Sequence, residues 1–262
     1  MSRQGVELLP LTTATHEPVD SSDETPILVL PPRRYLEQQA VEKFWRAKGW
    51  PVVRLARPEV PGELPRERVR LYGDYSFCVT VARALNVELV SPKDDLLLRI
   101  PEKWSQRTVR LSTLGDLSVE AFPLFIKSLA PKLMPAQVYK NLAGVVRFAE
   151  GLPPETPILL EAPVNFLCEA RCLVLNNEIL SCSVYEGRGD VNEAATFTRG
   201  FLVSIGKLDP SLMPISVVLD VGVVEGKGWV IVEANAVWGS GLNGCDPSAM
   251  ASCVMAATRP KN

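Results

Sequence analysis

The sequence predicts a mixed chain, an α/β opening followed by an α+β body. A strand, helix, strand order opens the chain: Ile27–Leu30 is apolar, Tyr35–Lys48 has helical spacing and Val52–Leu55 is apolar again. Near the other end, Val217–Leu219 and Trp229–Val232 flank Gly226-Lys227-Gly228, which is a hairpin pattern. Between them lie several short strand-like runs separated by glycines and 22 prolines, more than the usual share, which implies many short loops. With 262 residues the chain can hold one large or two modest domains.

The elements follow in order. Residues 1–25 are polar and mixed and are expected to form a flexible lead-in. In the first helix the apolar positions are Leu36, Ala40, Phe44 and Ala47, and Gly49 supplies the stop. Pro58–Arg68 is a proline-rich connection. Tyr75–Leu85 predicts a second helix and Val87–Val90 a strand, completing a small open sheet over residues 26–94. No GxGxxG loop follows the first strand, so no dinucleotide site is inferred. Asp94–Lys103 is a transition into the body, 95–262. Phe122–Ile126 is a strand that delivers Lys127; that lysine either snorkels at a strand end or holds a phosphate as a point charge. Gln137–Glu150 predicts a helix with Val138, Leu142, Val145, Val146 and Phe148 as its apolar positions, ended by Gly151. Pro157–Glu161 is a strand, Pro163–Phe166 a hinge, and Leu167–Leu175 and Glu178–Tyr185 are strands joined at Asn176-Asn177. Glu169 and Arg171 are two apart and share a strand face, where they either pair with each other or face a polar ligand. A helix is expected within Glu193–Gly206, and a terminal helix over Pro247–Thr258 packs Met250, Val254 and Met255.

Composition removes several classes of chemistry. His16 is the only histidine, which argues against histidine triads and His-rich metal sites. The six cysteines form no CxxC pair and fit reduced, buried thiols of a cytoplasmic protein. A net charge of -2 offers no overall nucleic-acid footprint. No apolar run is long enough to span a bilayer, and no secretory signal opens the chain. A homodimer suits a chain of this size, although no interface pattern marks one.

The chemistry therefore falls on carboxylates, Lys and Arg. Glu233 and Asn235 leave one strand face, and Asp220 ends the preceding strand within reach. Two carboxylates and an amide oxygen make an all-oxygen site suited to Mg2+ held against phosphates; the alternative is a solvated face of an edge hairpin.

Taken in order, FIKS, LLEAPV, EARCLV, LDVGVV and VIVEANAVWGSG resemble the ATP-grasp superfamily, especially its bacterial and phage stand-alone members. The resemblance covers most of the chain after about residue 95, and 26–94 resembles the small domain that precedes the grasp. It implies ATP between two lobes, with the hinge near 162–166. Lys127 would bind ATP, Glu161 would lie at the exocyclic amine of adenine, and the backbone of Ala162–Val164 would read the adenine edge. Arg171 would serve the phosphate side, with Glu169 either supporting it or approaching the ribose. Asp220, Glu233 and Asn235 would hold Mg2+. One departure is SLAPKLMPAQ, which has prolines and no glycine where the family has a glycine-rich loop over the triphosphate; Lys132 is a candidate for part of that phosphate contact. The implied activity is an ADP-forming carboxylate–amine or carboxylate–thiol ligase working through an acylphosphate on an unidentified small molecule or peptide. A small-molecule kinase and a nonenzymatic nucleotide-binding protein are the alternatives. Arg188 and Trp238 are placed either against a substrate or in ordinary surface and core roles.

Overall fold

The structure is a computed structural model and describes residues 25–33, 35–56 and 64–261. The expected lead-in, His16 and much of the proline-rich connection lie outside the described residues. The architecture is the α/β ATP-grasp type, with one small parallel sheet and two four-stranded antiparallel sheets.

The opening unit contains β1 (Ile27–Leu30), α1 (Leu36–Ala47), β2 (Val52–Arg54), β3 (Val69–Leu71), α2 (Tyr75–Leu85) and β4 (Val87–Leu89). Its sheet order is β2-β1-β3, all parallel. The sequence reading did not include β3, a three-residue strand directly after the proline-rich stretch. The buried face of α1 is Gln38, Val41 and Trp45, while Leu36 is 84% exposed. The expected stripe is therefore displaced by one position, roughly 100° around the helix; the indole of Trp45 decides the matter by packing edge-on against Trp50. Asp74 caps α2 by accepting from the Phe77 amide, and Asn86 ends it in the left-handed region.

α3 (Leu96–Arg99) and α4 (Glu102–Ser105) lead into the small-lobe sheet, ordered β5-β8-β6-β7. Its strands are β5 (Arg110–Thr113), β6 (Leu124–Ser128), β7 (Gln137–Tyr139) and β8 (Pro157–Glu161). The long helix expected from Gln137 is corrected here. Gln137–Tyr139 pairs with β6, and α5 begins only at Leu142 and runs to Phe148. Asn141 sets that start, its side chain accepting from the Gly144 amide. Of the five apolar positions assigned to the helix, only Val145 is buried.

The large sheet is ordered β10-β9-β11-β12, from β9 (Phe166–Leu175), β10 (Glu178–Gly187), β11 (Ser216–Val224) and β12 (Gly228–Asn235). Asn176 and Asn177 both have positive φ, as a tight two-residue hairpin turn requires. α6 (Val191–Leu208) covers one face, where Cys172, Phe201, Ile205 and Leu219 are buried together. The other face joins the core of the opening unit through Leu173, Val218 and Val237. The terminal helix, α7 (Pro247–Met255), ends short of Thr258, and the residues expected to finish it instead form β13 (Thr258–Pro260), which pairs with β4. The C-terminal segment thus returns to the opening unit. β4 takes its partner there rather than in the parallel sheet.

Candidate active site

Strand alternation places the small-lobe side chains. Leu124 and Ile126 point into the small core with Ile158 and Leu160, so Lys127, Leu159 and Glu161 fall on the opposite face. Lys127 and Leu159 line a cleft of about 710 Å³ whose far wall carries Glu233, Asn235, Tyr75 and Trp238. A smaller hollow of about 230 Å³, bounded by Arg110, Asp116 and Leu160, contains none of the predicted site residues.

A bulge sets the large-sheet side chains. Asp220 pairs in register with Glu233, but Val221 pairs with Ile231, which leaves Val232 as the extra residue. The bulge resets the alternation. Ile231 enters the core under α6, whereas Glu233 and Asn235 line the cleft. Without that extra residue, Ile231 and Glu233 would share one face.

The charged groups form a continuous chain of contacts. Lys127 Nζ donates to Glu233 Oε2 at 2.9 Å, joining the two sheets. Asn235 Nδ2 donates to Glu233 Oε1 at 2.8 Å and to Asp220 Oδ2 at 3.1 Å. Arg171 grips Asp220 through Nε at 2.8 Å and a terminal nitrogen at 2.7 Å, and its other terminal nitrogen donates to the Gly241 carbonyl. That pair is bidentate and buried, the geometry in which Arg is most specific. Arg171 therefore pairs with Asp220, not with Glu169. The Glu169 carboxylate instead accepts from Tyr185 Oη at 2.7 Å.

Burial and charge tune these carboxylates in opposite directions. Burial pushes Asp220 above the usual aspartate range, against the pull of Arg171. Burial also acts upward on Glu233, but Lys127 and the Asn235 hydrogen bond outweigh it and hold the group low. Burial raises Glu169, opposed by the Tyr185 hydrogen bond. Across the cleft burial also raises Asp94, with Lys127 opposing.

The donor set fits a hard cation. The Asn235 nitrogen already stands beside one oxygen of each carboxylate. A half-turn of that amide would put its oxygen there and complete a three-oxygen cradle. Among the described residues no group of three or more His, Cys, Asp and Glu side chains could hold a metal, so this set depends on its amide.

The remaining site candidates lie elsewhere. Glu161 is 6% exposed and accepts from Arg107 Nε at 2.6 Å. Ala162 is exposed and Val164 half-buried, in the segment between β8 and β9 that carries no regular structure. None of these three lines the cleft, nor do Glu169, Arg171 and Asp220, the last two of which stand behind Asn235. Arg107 is the structural residue that sequence reasoning passed over. It ties β8 to the Val232 carbonyl on β12 and lies over the Phe166 ring, while its third nitrogen is buried without a partner. Its partners are 54 and 125 residues away, so no local pattern announces them. Trp238 is 5% exposed, donates to Ser91 and tilts against Tyr75, a wall position in the cleft. Arg188 is exposed.

Solved structures share this architecture at low identity. An ATP-grasp RimK domain protein from Sphaerobacter thermophilus superposes with a TM-score of 0.56 at 17% identity, over 88% of this chain and 99% of that one. A macrocyclase from Microcystis aeruginosa, bound with its precursor peptide, gives 0.54 at 12%, over 88% and 99%. A D-alanine–D-alanine ligase from Bacillus anthracis, complexed with ATP, gives 0.52 at 12%, over 90% and 97%. No curated protein matches the chain. The sequence profile of an ATP-grasp domain, the second family of its clade, matches residues 104–253. That span is more than half of the chain and contains Lys127, Arg171, Asp220, Glu233 and Asn235, so the chain belongs to this ATP-grasp family.

Proposed function

We propose that this protein is an ATP- and Mg2+-dependent, ADP-forming ligase that joins a carboxylate to an amine or a thiol. The observation that supports it best is the unbroken row Lys127–Glu233–Asn235–Asp220–Arg171, which runs from the cleft wall of one lobe into the other. A nonpolar core does not need such a row, and a phosphate site does.

In this reading ATP lies between the lobes. Asp220, Glu233 and Asn235 would hold Mg2+, which when bound neutralises charge on the phosphate oxygens. Lys127 exchanges its Glu233 partner for a phosphate oxygen, and Arg171 places a fixed positive charge behind Asp220. Glu161, Ala162 and Val164 form the adenine end, with Arg107 holding the Glu161 carboxylate in place. Glu169, oriented by Tyr185, stands beside Arg171 on the same strand face. A substrate carboxylate oxygen attacks the γ-phosphorus, the bond to the bridging oxygen breaks and ADP leaves. The amine or thiol then attacks the acyl carbon and phosphate departs. Positioning and electrostatics carry both steps, and no protein nucleophile is required. The macrocyclase and the D-alanine–D-alanine ligase of the same fold are consistent with a small-molecule or peptide acceptor.

A second reading, nucleotide binding without turnover, is favoured by one observation. The β6–β7 connection contains no glycine, and Lys132 occupies the left-handed region there at φ 66°. Calorimetric titration of Mg2+-ATP into the wild type and the Asp220→Ala, Glu233→Ala double variant tests the site. Strong wild-type binding that is lost in the folded double variant is expected. Equal affinity in both removes the metal assignment. An ADP-release screen over carboxylic acids paired with amines or thiols then separates the ligase from a silent binder.

A further inference from the structure

On the α6 side of the large sheet, opposite Arg171, two thiols stand unusually close. Cys172 on β9 and Cys182 on β10 are direct register partners, and their sulfurs are 3.0 Å apart. All six cysteines are free thiols. Cys172 is buried, with its sulfur also 3.4 Å from Thr198 Oγ1 of α6. Cys182 is only half-buried and is therefore the one a reagent can reach. Cys245, nearby in the chain of contacts, gives its thiol to the Arg171 carbonyl and belongs to the core on the other face.

The pair is asymmetric in the way an exchange reaction uses. Cys172 donates its S–H to Cys182. That bond, aided by the exposed Arg199 and resisted by burial, lowers the Cys182 thiol, while the same bond and burial raise Cys172. The thiolate is the attacking species, so Cys182 is the first nucleophile and Cys172 the resolving thiol.

We propose that Cys172 and Cys182 are an oxidative modification site that closes to a reversible cross-strand disulfide with a low-molecular-weight disulfide as oxidant. The Cys182 thiolate attacks one sulfur of the reagent, forming a mixed disulfide and releasing one thiolate. Cys172, losing its proton, attacks the Cys182 sulfur and expels the second. The two cysteines give up two protons and two electrons, and one disulfide becomes two thiols. The geometry permits it. Directly opposed antiparallel residues have Cα atoms roughly 4.5–5.5 Å apart, within the range of a disulfide, and the sulfurs need only close to about 2.05 Å. The loop between the two residues is a hairpin already held by its ladder, so the bond removes little chain entropy. That makes it a reversible mark rather than a structural brace. It would tie β9 to β10 at the residue beside Arg171.

The test uses the full-length protein with oxidised glutathione in excess, quenched with a thiol-alkylating reagent and digested without reduction. Loss of two alkylatable thiols is expected, with the peptide Cys172–Arg188 lighter by two hydrogens. Cleavage after Glu178 should then leave its two fragments joined until a reductant is added. In Cys172→Ser, the reagent should remain trapped on Cys182 as a stable mixed disulfide. Six alkylated thiols after treatment, a bond joining any other pair, or a stable glutathione adduct on wild-type Cys182 would each overturn the proposal.

Discussion

The two four-stranded sheets supply charged groups to the same cleft from very different ground. The large sheet is covered on both faces, by α6 on one side and by the core of the opening unit on the other. Its carboxylates stand on strands whose neighbours are almost fully buried, and Arg171 locks one of them. The small sheet has one covered face with a short roster of buried residues, and its outer helix shows Val146 and Phe148 to solvent. Lys127 comes from this sheet and is 30% exposed. The difference separates two tasks. A cradle for a divalent cation needs fixed oxygens, which a doubly covered sheet provides. A lysine that must change partners from carboxylate to phosphate is better placed on the element with less holding it.

The sharpest way to break this comparison is to cut the shared network from each side. Asp220→Ala removes one partner of a buried bidentate pair and leaves the Arg171 guanidinium uncompensated, a loss of about 3–5 kcal/mol of stability. Lys127→Ala removes a partly exposed member of the same network, whose pairing is worth no more than about 1 kcal/mol after solvent screening. Guanidinium unfolding curves of the two variants should therefore differ by several-fold in destabilisation. Equal losses would mean that the small lobe is as firmly tied as the large sheet.

A second contrast is purely apolar. Leu219→Ala opens a cavity beneath α6 in a sheet packed on both sides, where neighbours have little room to relax, and is expected to cost about 4 kcal/mol. Leu124→Ala on β6 sits in the smaller core beside a solvent-facing hollow, where collapse is easier, and is expected to cost about 2 kcal/mol. The same denaturation curves measure both. A reversed order would show that sheet coverage does not govern rigidity here.

The legibility of the sequence follows the same division. Asp220, Glu233, Asn235 and Lys127 were recoverable because each interrupts a strongly apolar strand, and period-two alternation then assigns its face. The hairpin and the long α6 were recoverable for the same local reason. What escaped depends on distant partners. Nothing near Arg171 says that it grips Asp220, 49 residues on, and nothing near Arg107 points to Glu161 or to the Val232 carbonyl. The Val232 bulge is a register property of two strands and leaves no mark in one. In the small lobe the helical spacing of Val138, Leu142, Val145 and Val146 is genuine but misleading. Pairing with β6 claims Gln137–Tyr139, and Asn141 begins the helix after it. A small core buries few of the apolar positions its sequence offers, so periodicity there carries less information about structure than it does in the large sheet.

That weakness gives the smallest predicted effect. Val146 is 62% exposed on α5, so its side chain has little apolar surface left to lose. Val146→Ser should change stability by no more than about 0.5 kcal/mol, since serine and valine differ little in helix preference and no core contact is removed. The neighbouring Val145→Ser, at 2% exposure, places a hydroxyl in the small core and should cost several times more. Parallel thermal melts of the two variants read the difference directly. A large loss from Val146→Ser would mean that α5 is covered in solution by another chain or element, and the small sheet would then no longer be the lightly held partner of the large one.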